Sequence, residues 1–246
     1  MPTRRWHLSA VGLTAAALTV APLTTGTALA ATGTNTVQTS TGWAGYQADS
    51  ASAASVAASW TVPAVTCGSS TSAVDFEAGL GTTPVAGIVA TCNYGFAQYH
   101  PWISTGMPSQ LGYTTAPGDV VSASGTYDGP GDGMNEYTFA LADQTQNWSY
   151  SLTLYSSNSL GTSAQAGIEP DTIVCEGIDF CFSMFQGEPL ANFGTVNFTG
   201  ATISGGAFGG SGGGTDQTNL VSGGSTEAAT SSLDGSGEKF SVSYQG

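Results

Sequence analysis

The chain has very few basic side chains. Lys and Arg together number three among 246 residues, against 17 Asp and Glu residues, and the formal net charge is −14. Arg4 and Arg5 stand near the N-terminus, so Lys239 is the only basic residue beyond position 30. Such a chain cannot neutralise phosphate, which excludes nucleic acids and anionic membranes as partners. It also favours acid tolerance, because protonation at low pH brings the chain toward neutrality and not toward a repelling positive charge.

Residues of the common catalytic and metal centres are equally scarce. His100 is the only histidine beyond position 30, and no G-x-S-x-G motif accompanies it, so a Ser–His–Asp triad has little support. The spacing of Cys67, Cys92, Cys175 and Cys181 does not fit paired C-x-x-C knuckles, and we predict no metal and no cofactor. An even cysteine count in an exported chain predicts two disulfides, and proximity suggests the pairs 67–92 and 175–181. Any catalysis would then rest on carboxylates and amides.

The N-terminus carries the features of an export signal. Two arginines precede an apolar run over residues 8–23, and an A-x-A cleavage site ends at residue 30. We therefore expect residues 1–30 to be a signal peptide, residues 31–42 a flexible arm, and residues 43–246 one domain of a secreted monomer. No second apolar run follows, so the signal is not expected to anchor the chain in a membrane. The export route, general or twin-arginine, stays open.

Short β-rich runs separated by Gly, Ser, Asp and Pro clusters fill the rest of the chain, and no segment sustains helical periodicity over ten residues. This pattern predicts an all-β fold, an antiparallel β-sandwich or barrel. The stretch TSAQAGIEP alternates strictly, which puts Gln165 and Glu169 on one face of a strand and small apolar residues on the other. Glu77 alternates in the same way with the apolar residues of AVDFEAGL.

Several motifs together resemble those of the glutamic peptidases, the eqolisins. They are TGWAGY (41–46), SWTVPAVTC (59–67), FEAGLG (76–81), APGDVVSASGTYDG (116–129) and PLANFGTVNFTGATISG (189–205). The resemblance implies two large antiparallel sheets with a concave substrate groove. It also implies an acid endopeptidase that uses a Glu/Gln dyad and no metal, with a polypeptide as its substrate. In that chemistry the Glu takes a proton from water, and the Gln amide stabilises the oxyanion.

The same resemblance puts other residues at the dyad positions. Gln165 stands where the family has its catalytic Glu, and an amide has no usable basicity. The catalytic Gln is expected at Ile88, or at residue 90 under a shifted alignment, yet no Gln occurs between residues 48 and 97. Glu77 takes the place of a groove Trp, while Phe96 and Gln98 replace the Trp and Glu of W-Y-E-W-Y-P. The resemblance thus assigns Phe96, Ile88 and the strand residue Glu169 to the groove.

Two hypotheses follow from these substitutions. In the first, the dyad is rebuilt, with Glu77 as the base and Gln165 or Gln98 as the oxyanion donor. In the second, the chain is a non-catalytic relative that binds peptide or polysaccharide in the groove. A rebuilt dyad requires the Glu77 and Gln165 side chains to lie within about one water-bridged hydrogen bond, roughly 6 Å.

Overall fold

The strands of the sequence prediction are present over nearly the whole described chain. The computed structural model describes residues 37–49, 53–81, 85–104, 108–131, 133–156, 163–170, 173–175, 181–183, 189–210 and 215–246. The predicted signal peptide and residues 31–36 of the predicted arm lie outside these ranges. No helix among the described residues is long and apolar enough to cross a membrane.

Eighteen strands and one short 3-10 turn, Phe208–Gly210, make up the regular structure of the described residues. The strands are β1 (Val37–Ser40), β2 (Ala44–Asp49), β3 (Ser55–Thr61), β4 (Ser72–Leu80), β5 (Val85–Asn93), β6 (Phe96–Ser104), β7 (Pro108–Gln110), β8 (Val120–Gly131), β9 (Met134–Asp143), β10 (Trp148–Ser156), β11 (Ser163–Glu169), β12 (Ile173–Cys175), β13 (Cys181–Ser183), β14 (Thr195–Ile203), β15 (Gly206–Ala207), β16 (Thr215–Ser222), β17 (Ser225–Thr230) and β18 (Phe240–Tyr244). Part of the predicted flexible arm is therefore β1.

The sheet is one continuous, curled and almost entirely antiparallel structure. Its hydrogen-bonded order is β10-β9-β8-β3-β14-β18-β17-β16-β2-β11-β4-β5-β6-β7, with β15 beside β14 and β1 parallel to β16. The antiparallel all-β prediction is confirmed. We expected two separate sheets, but backbone hydrogen bonds join all of these strands into one sheet. The join is the β16–β17 hairpin, because β16 also pairs with β2 and β17 also pairs with β18. A register shift between Leu220 and Val221 interrupts the pairing at this hairpin, and such irregularities increase local twist.

The hydrophobic core lies on one face of the curled sheet. Strands that share no hydrogen bonds, such as β4 and β8, contact each other because the curl brings the two halves together. Aromatic rings fill the space between them: Phe198 stacks on Phe240 at 4.8 Å between ring centroids, and Tyr46 meets Phe240 edge-on at 5.0 Å. The core therefore uses every second residue of each central strand, which leaves the alternate residues on the opposite face.

The disulfide Cys67–Cys92 is confirmed, with 5.3 Å between the two Cα atoms. It ties the end of β5 to the segment that follows β3. The backbones of Cys175 and Cys181 stand directly opposite each other in the separate β12–β13 pair, but their side chains lie outside the described residues. A second disulfide therefore stays a prediction.

Candidate active site

The polar residues predicted on alternate strand positions meet on the sheet face opposite the core. We call this the site face, and its members come from five neighbouring strands, β2, β11, β4, β5 and β6. Its central row consists of residues that pair directly from strand to strand: Gly45, Gly167, Glu77, Gly87 and Trp102. Glu77 is thus the one long polar side chain in a row whose neighbours on both sides are glycines.

The glycines of this row are required by close approach. A Cβ on Gly167 would overlap the carbonyl oxygen of Ala44 and come within 2.8 Å of the Trp43 ring. A Cβ on Gly87 would overlap the carbonyl oxygen of Phe76 and come within 3.0 Å of the Glu77 Cβ. Real Cβ atoms do not tolerate such contacts, because dense packing leaves backbone atoms no room to move aside. The bare backbone on both sides of Glu77 is therefore a structural requirement.

The Glu77 carboxylate and the Gln165 amide form a buried hydrogen bond. Gln165 Nε2 donates to Glu77 Oε1 at 2.9 Å, and the two residues are only 4% and 1% exposed, respectively. The contact is diagonal, since Gln165 pairs directly with Gly79, two residues along β4 from Glu77. The distance lies well inside the limit of roughly 6 Å that a rebuilt dyad requires.

Two further carboxyl groups lie on the same face, one row along the strands. Asp75 is almost completely buried, and Glu169 is its direct partner on β11. Because Asp75 and Glu77 are two residues apart on β4, their side chains point the same way. The site face therefore gathers three carboxyl groups, those of Asp75, Glu77 and Glu169.

His100 lies at the edge of this group of residues. His100 lies on β6 and pairs directly with Val89 on β5, and Val89 in turn pairs with Asp75 on β4. The His100 Nδ1 atom lies 2.7 Å from Gln110 Nε2, so the amide donates and the ring accepts when the imidazole is neutral. Burial lowers the pKa of His100 below the usual 6.5. Among the described residues, no group of three or more His, Cys, Asp or Glu side chains is arranged to hold a metal ion.

The comparison with protein families gives one match, to the model of the Peptidase A4 family over residues 41–244. The chain belongs to the Peptidase A4 family. Two solved structures of scytalido-glutamic peptidase, each with a transition state analogue, are 22% identical and align with 83% of this chain and 98% of theirs, at a TM-score of 0.61. SCP-B, an eqolisin in complex with the tripeptide Ala-Ile-His, aligns over the same shares at 22% identity and a TM-score of 0.60. A comparison with curated proteins gave no match.

These structures support the A4 fold of the chain, and at 22% identity they carry the fold alone. Which residues of this A4 chain could form a dyad therefore depends on its own structure. The structure brings Glu77, Gln165 and Glu169 together on the site face, whereas alternation predicted only the face of each strand and not their proximity. The structure separates the other three candidates from them.

Ile88 does not line the site face of this A4 chain. Ile88 belongs to the hydrophobic core and has no exposed surface, and the same is true of the alternative position, Ala90. The reason is strand alternation: Val85, Gly87 and Val89 point to the site face, so the residues between them point inward. An alignment that is one residue out moves a side chain to the wrong face of a strand.

Gln98 and Phe96 lie too far along the β5–β6 hairpin to act at Glu77. Gln98 is exposed and pairs with Thr91, four residues along β5 from Gly87, which corresponds to roughly 13 Å. Phe96 is 76% exposed beside the turn at the end of the hairpin. The rebuilt dyad therefore has one amide candidate from the sequence prediction, Gln165.

Sequence reasoning missed the tryptophans and glycines of this A4 site. Trp102 lies two residues after His100 on β6, and Trp43 lies two residues before Gly45, next to the start of β2. The alternation rule that placed Glu77 on this face therefore places both tryptophans there as well. Nothing in the sequence showed that the glycines of three different strands would align in one row.

Proposed function

We propose that this chain is a secreted, acid-active endopeptidase of the Peptidase A4 family that cleaves polypeptides with Glu77 as general base and Gln165 as its amide partner. The proposal rests on one observation above all, the buried hydrogen bond of 2.9 Å between Gln165 Nε2 and Glu77 Oε1. The expected dyad residues are replaced, yet one Glu and one Gln still meet on the site face.

The proposed reaction needs a water molecule and the peptide bond alone. The Glu77 carboxylate takes a proton from the water, whose oxygen attacks the peptide carbonyl carbon. A primary amide has two N–H donors, so Gln165 can keep one on Glu77 and aim the other at the oxyanion of the tetrahedral intermediate. The protonated Glu77 then gives its proton to the leaving amine as the C–N bond breaks.

The composition of the chain supports activity in acid. A carboxylate can serve as a base at a pH where a histidine would already be protonated. The scarcity of Lys and Arg removes the charge repulsion that unfolds most proteins at low pH. The N-terminal signal supports export, and we propose that the site face is the substrate groove that the family resemblance implies.

A second candidate function is a non-catalytic module that binds peptide or polysaccharide on the same face. One observation favours it: Gln165 occupies the strand position where the resemblance expects the catalytic Glu. In that case the Glu77–Gln165 hydrogen bond would only satisfy two buried polar groups.

Cleavage of an unfolded protein between pH 2 and 5 separates the two functions. We expect cleavage by the purified protein and a loss of at least about 100-fold in kcat/KM for Glu77→Gln, since a general base typically contributes that much. Glu227→Gln is the matched control, because it makes the same change at a half-buried strand position of β17. No cleavage at any pH would refute the enzyme, and equal cleavage by the two variants would refute Glu77 as its general base.

The proposed Glu77–Gln165 pair allows a stricter test. The double variant Glu77→Gln with Gln165→Glu keeps one carboxyl and one amide at the same two positions. We expect it to cleave faster than Glu77→Gln alone, because a base is again present within hydrogen-bond distance of an amide. If restoring the carboxyl on β11 brings back no activity, the pair does not act as a unit.

A further inference from the structure

Two buried indole groups on the site face have N–H donors without an acceptor. Trp43 and Trp102 are 8% and 4% exposed, and neither Nε1 has a hydrogen-bond partner among the described residues. An indole nitrogen can only donate. Buried Trp residues usually find a partner for this group, because leaving it unpaired is costly.

The two indoles flank Glu77 on opposite sides. The ring of Trp43 lies against the glycine pair of β2 and β11, with its Cζ2 and Cη2 atoms 2.9 and 2.8 Å from where the Cβ atoms of Gly45 and Gly167 would be. Trp102 pairs directly with Gly87 on the other side of Glu77. The strands β11 and β5 are the two neighbours of β4, on which Glu77 lies. These two strands, one on the Trp43 side and one on the Trp102 side, are therefore about 10 Å apart.

Location distinguishes these two indoles from a third. Trp60 also has a buried Nε1 without a partner among the described residues, but it belongs to the main hydrophobic core, where no ligand can reach. Trp102 instead forms a separate small cluster with Val85 and Val89 on the site face, and Trp43 belongs to neither cluster. The unpaired N–H groups of interest are therefore those beside the Glu77–Gln165 pair.

We infer that Trp43 and Trp102 are substrate-binding residues whose indole N–H groups donate to two backbone carbonyl oxygens of an extended polypeptide, one on each side of the bond above Glu77. This inference rests on the proposed function. An extended chain advances about 3.3 Å per residue, so carbonyls two residues apart lie about 6.6 Å from each other, and donors that reach inward from strands about 10 Å apart can meet both. Carbonyls two residues apart point the same way, which suits two donors of one kind. A ligand of this class presents neutral acceptors and brings no added negative charge near Asp75 and Glu169.

Removal of single hydrogen-bonding atoms tests the inference. Trp102 is replaced by 3-benzothienylalanine, which puts sulfur in place of the N–H and keeps the ring shape, and Trp43 is replaced in the same way. The probe is a hexapeptide with a trans-alkene in place of the bond to be cleaved, and a second series replaces one neighbouring amide with a trans-alkene. The dissociation constants are measured by titration calorimetry at pH 4.

We expect each N–H removal to weaken binding about 5- to 10-fold, as loss of one hydrogen bond does. Removing the carbonyl that faces the altered indole should then have little further effect, although it weakens binding to the unaltered protein. Trp148 is the matched control, because its Nε1 already donates to the Thr114 carbonyl at 2.9 Å; the same replacement there should leave peptide binding unchanged.

The outcomes separate this inference from the proposed function. Equal affinity for the unaltered protein and both site-face variants, or a carbonyl effect that persists in them, would overturn it. Trp43→Phe and Trp102→Phe variants supply a second measurement if the sulfur analogues fold poorly, and unchanged affinity in both would also overturn it. Because the probe is not cleaved, indole-dependent binding without any protease activity would refute the enzyme and leave the inference standing.

Discussion

Gly167→Ala is expected to destabilise the sheet at the position next to Glu77. The added Cβ would overlap the Ala44 carbonyl oxygen and come within 2.8 Å of both the Gly45 Cα and the Trp43 Cη2. The first two obstacles are backbone atoms of β2, which the sheet hydrogen bonds hold in place. Strands β2 and β11 would have to separate locally, and the Trp43 ring would have to leave its position.

The magnitude follows from overpacking against backbone. Such a change costs up to about 3 kcal/mol, and the reduced freedom of the unfolded chain returns up to about 1 kcal/mol. The net loss of about 2 kcal/mol lowers the Tm of a domain of this size by roughly 4–8 °C. Peptide binding should weaken as well, because the displaced Trp43 ring flanks the Glu77–Gln165 pair.

Thermal unfolding followed by circular dichroism measures this change. Gly112→Ala is the matched control, because its added Cβ would meet no atom within 4 Å and its φ is not in the left-handed region. The control should keep the Tm of the unaltered protein or exceed it slightly. If Gly167→Ala unfolds at the same temperature as the control, the close packing of the glycine row is not a constraint and the reasoning fails.

Three further predictions concern stability. Replacing both Cys67 and Cys92 with Ser should lower the free energy of unfolding in urea by about 3 kcal/mol, since the disulfide closes a loop of 25 residues; a loss under 1 kcal/mol would contradict the loop-entropy account. Burial lowers the pKa of His100 in the folded protein, so as the pH falls the unfolded chain takes up a proton on His100 at a higher pH than the folded protein does. Stability should fall as the pH drops below about 6.5. His100→Gln should make this fall smaller in urea titrations from pH 7.5 to 4, and an unchanged slope would count against the burial. Asp143→Ala should cost roughly 1.5–3 kcal/mol in the same assay, because the buried carboxylate accepts from the Thr115 hydroxyl and from the backbone N–H groups of Thr145 and Gln146; stability like that of the unaltered protein would refute this role.

Local alternation explains the predictions that succeeded. Side chains of a strand alternate between its two faces whatever the rest of the chain does. That rule put Gln165 and Glu169 on one face of β11, and it put Glu77 opposite the apolar residues of β4, as the structure has them. The Cys67–Cys92 pair also follows from short sequence separation.

The predictions that failed concern positions along and between strands. The expectation for Ile88 depended on an alignment across a loop, and a shift of one residue reverses the face on which a side chain lies. The expectation for Gln98 depended on how far along β6 the site lies. Alternation gives the face on which a side chain lies but not its position along the strand. The expected second sheet depended on whether β16 and β17 pair across the join, which is decided by hydrogen bonds between strands.

By itself, the sequence determined the chemistry available to this protein: many carboxylates and amides, few Lys, Arg and His side chains, and β-strands with one polar face. Only the tertiary structure decided which of these groups meet. Glu77 and Gln165 are 88 residues apart in the chain, and their contact depends on the register of β4 against β11. Register is set by the packing of the whole sheet on its core, because each strand can move along its neighbour only in steps that exchange buried and exposed side chains.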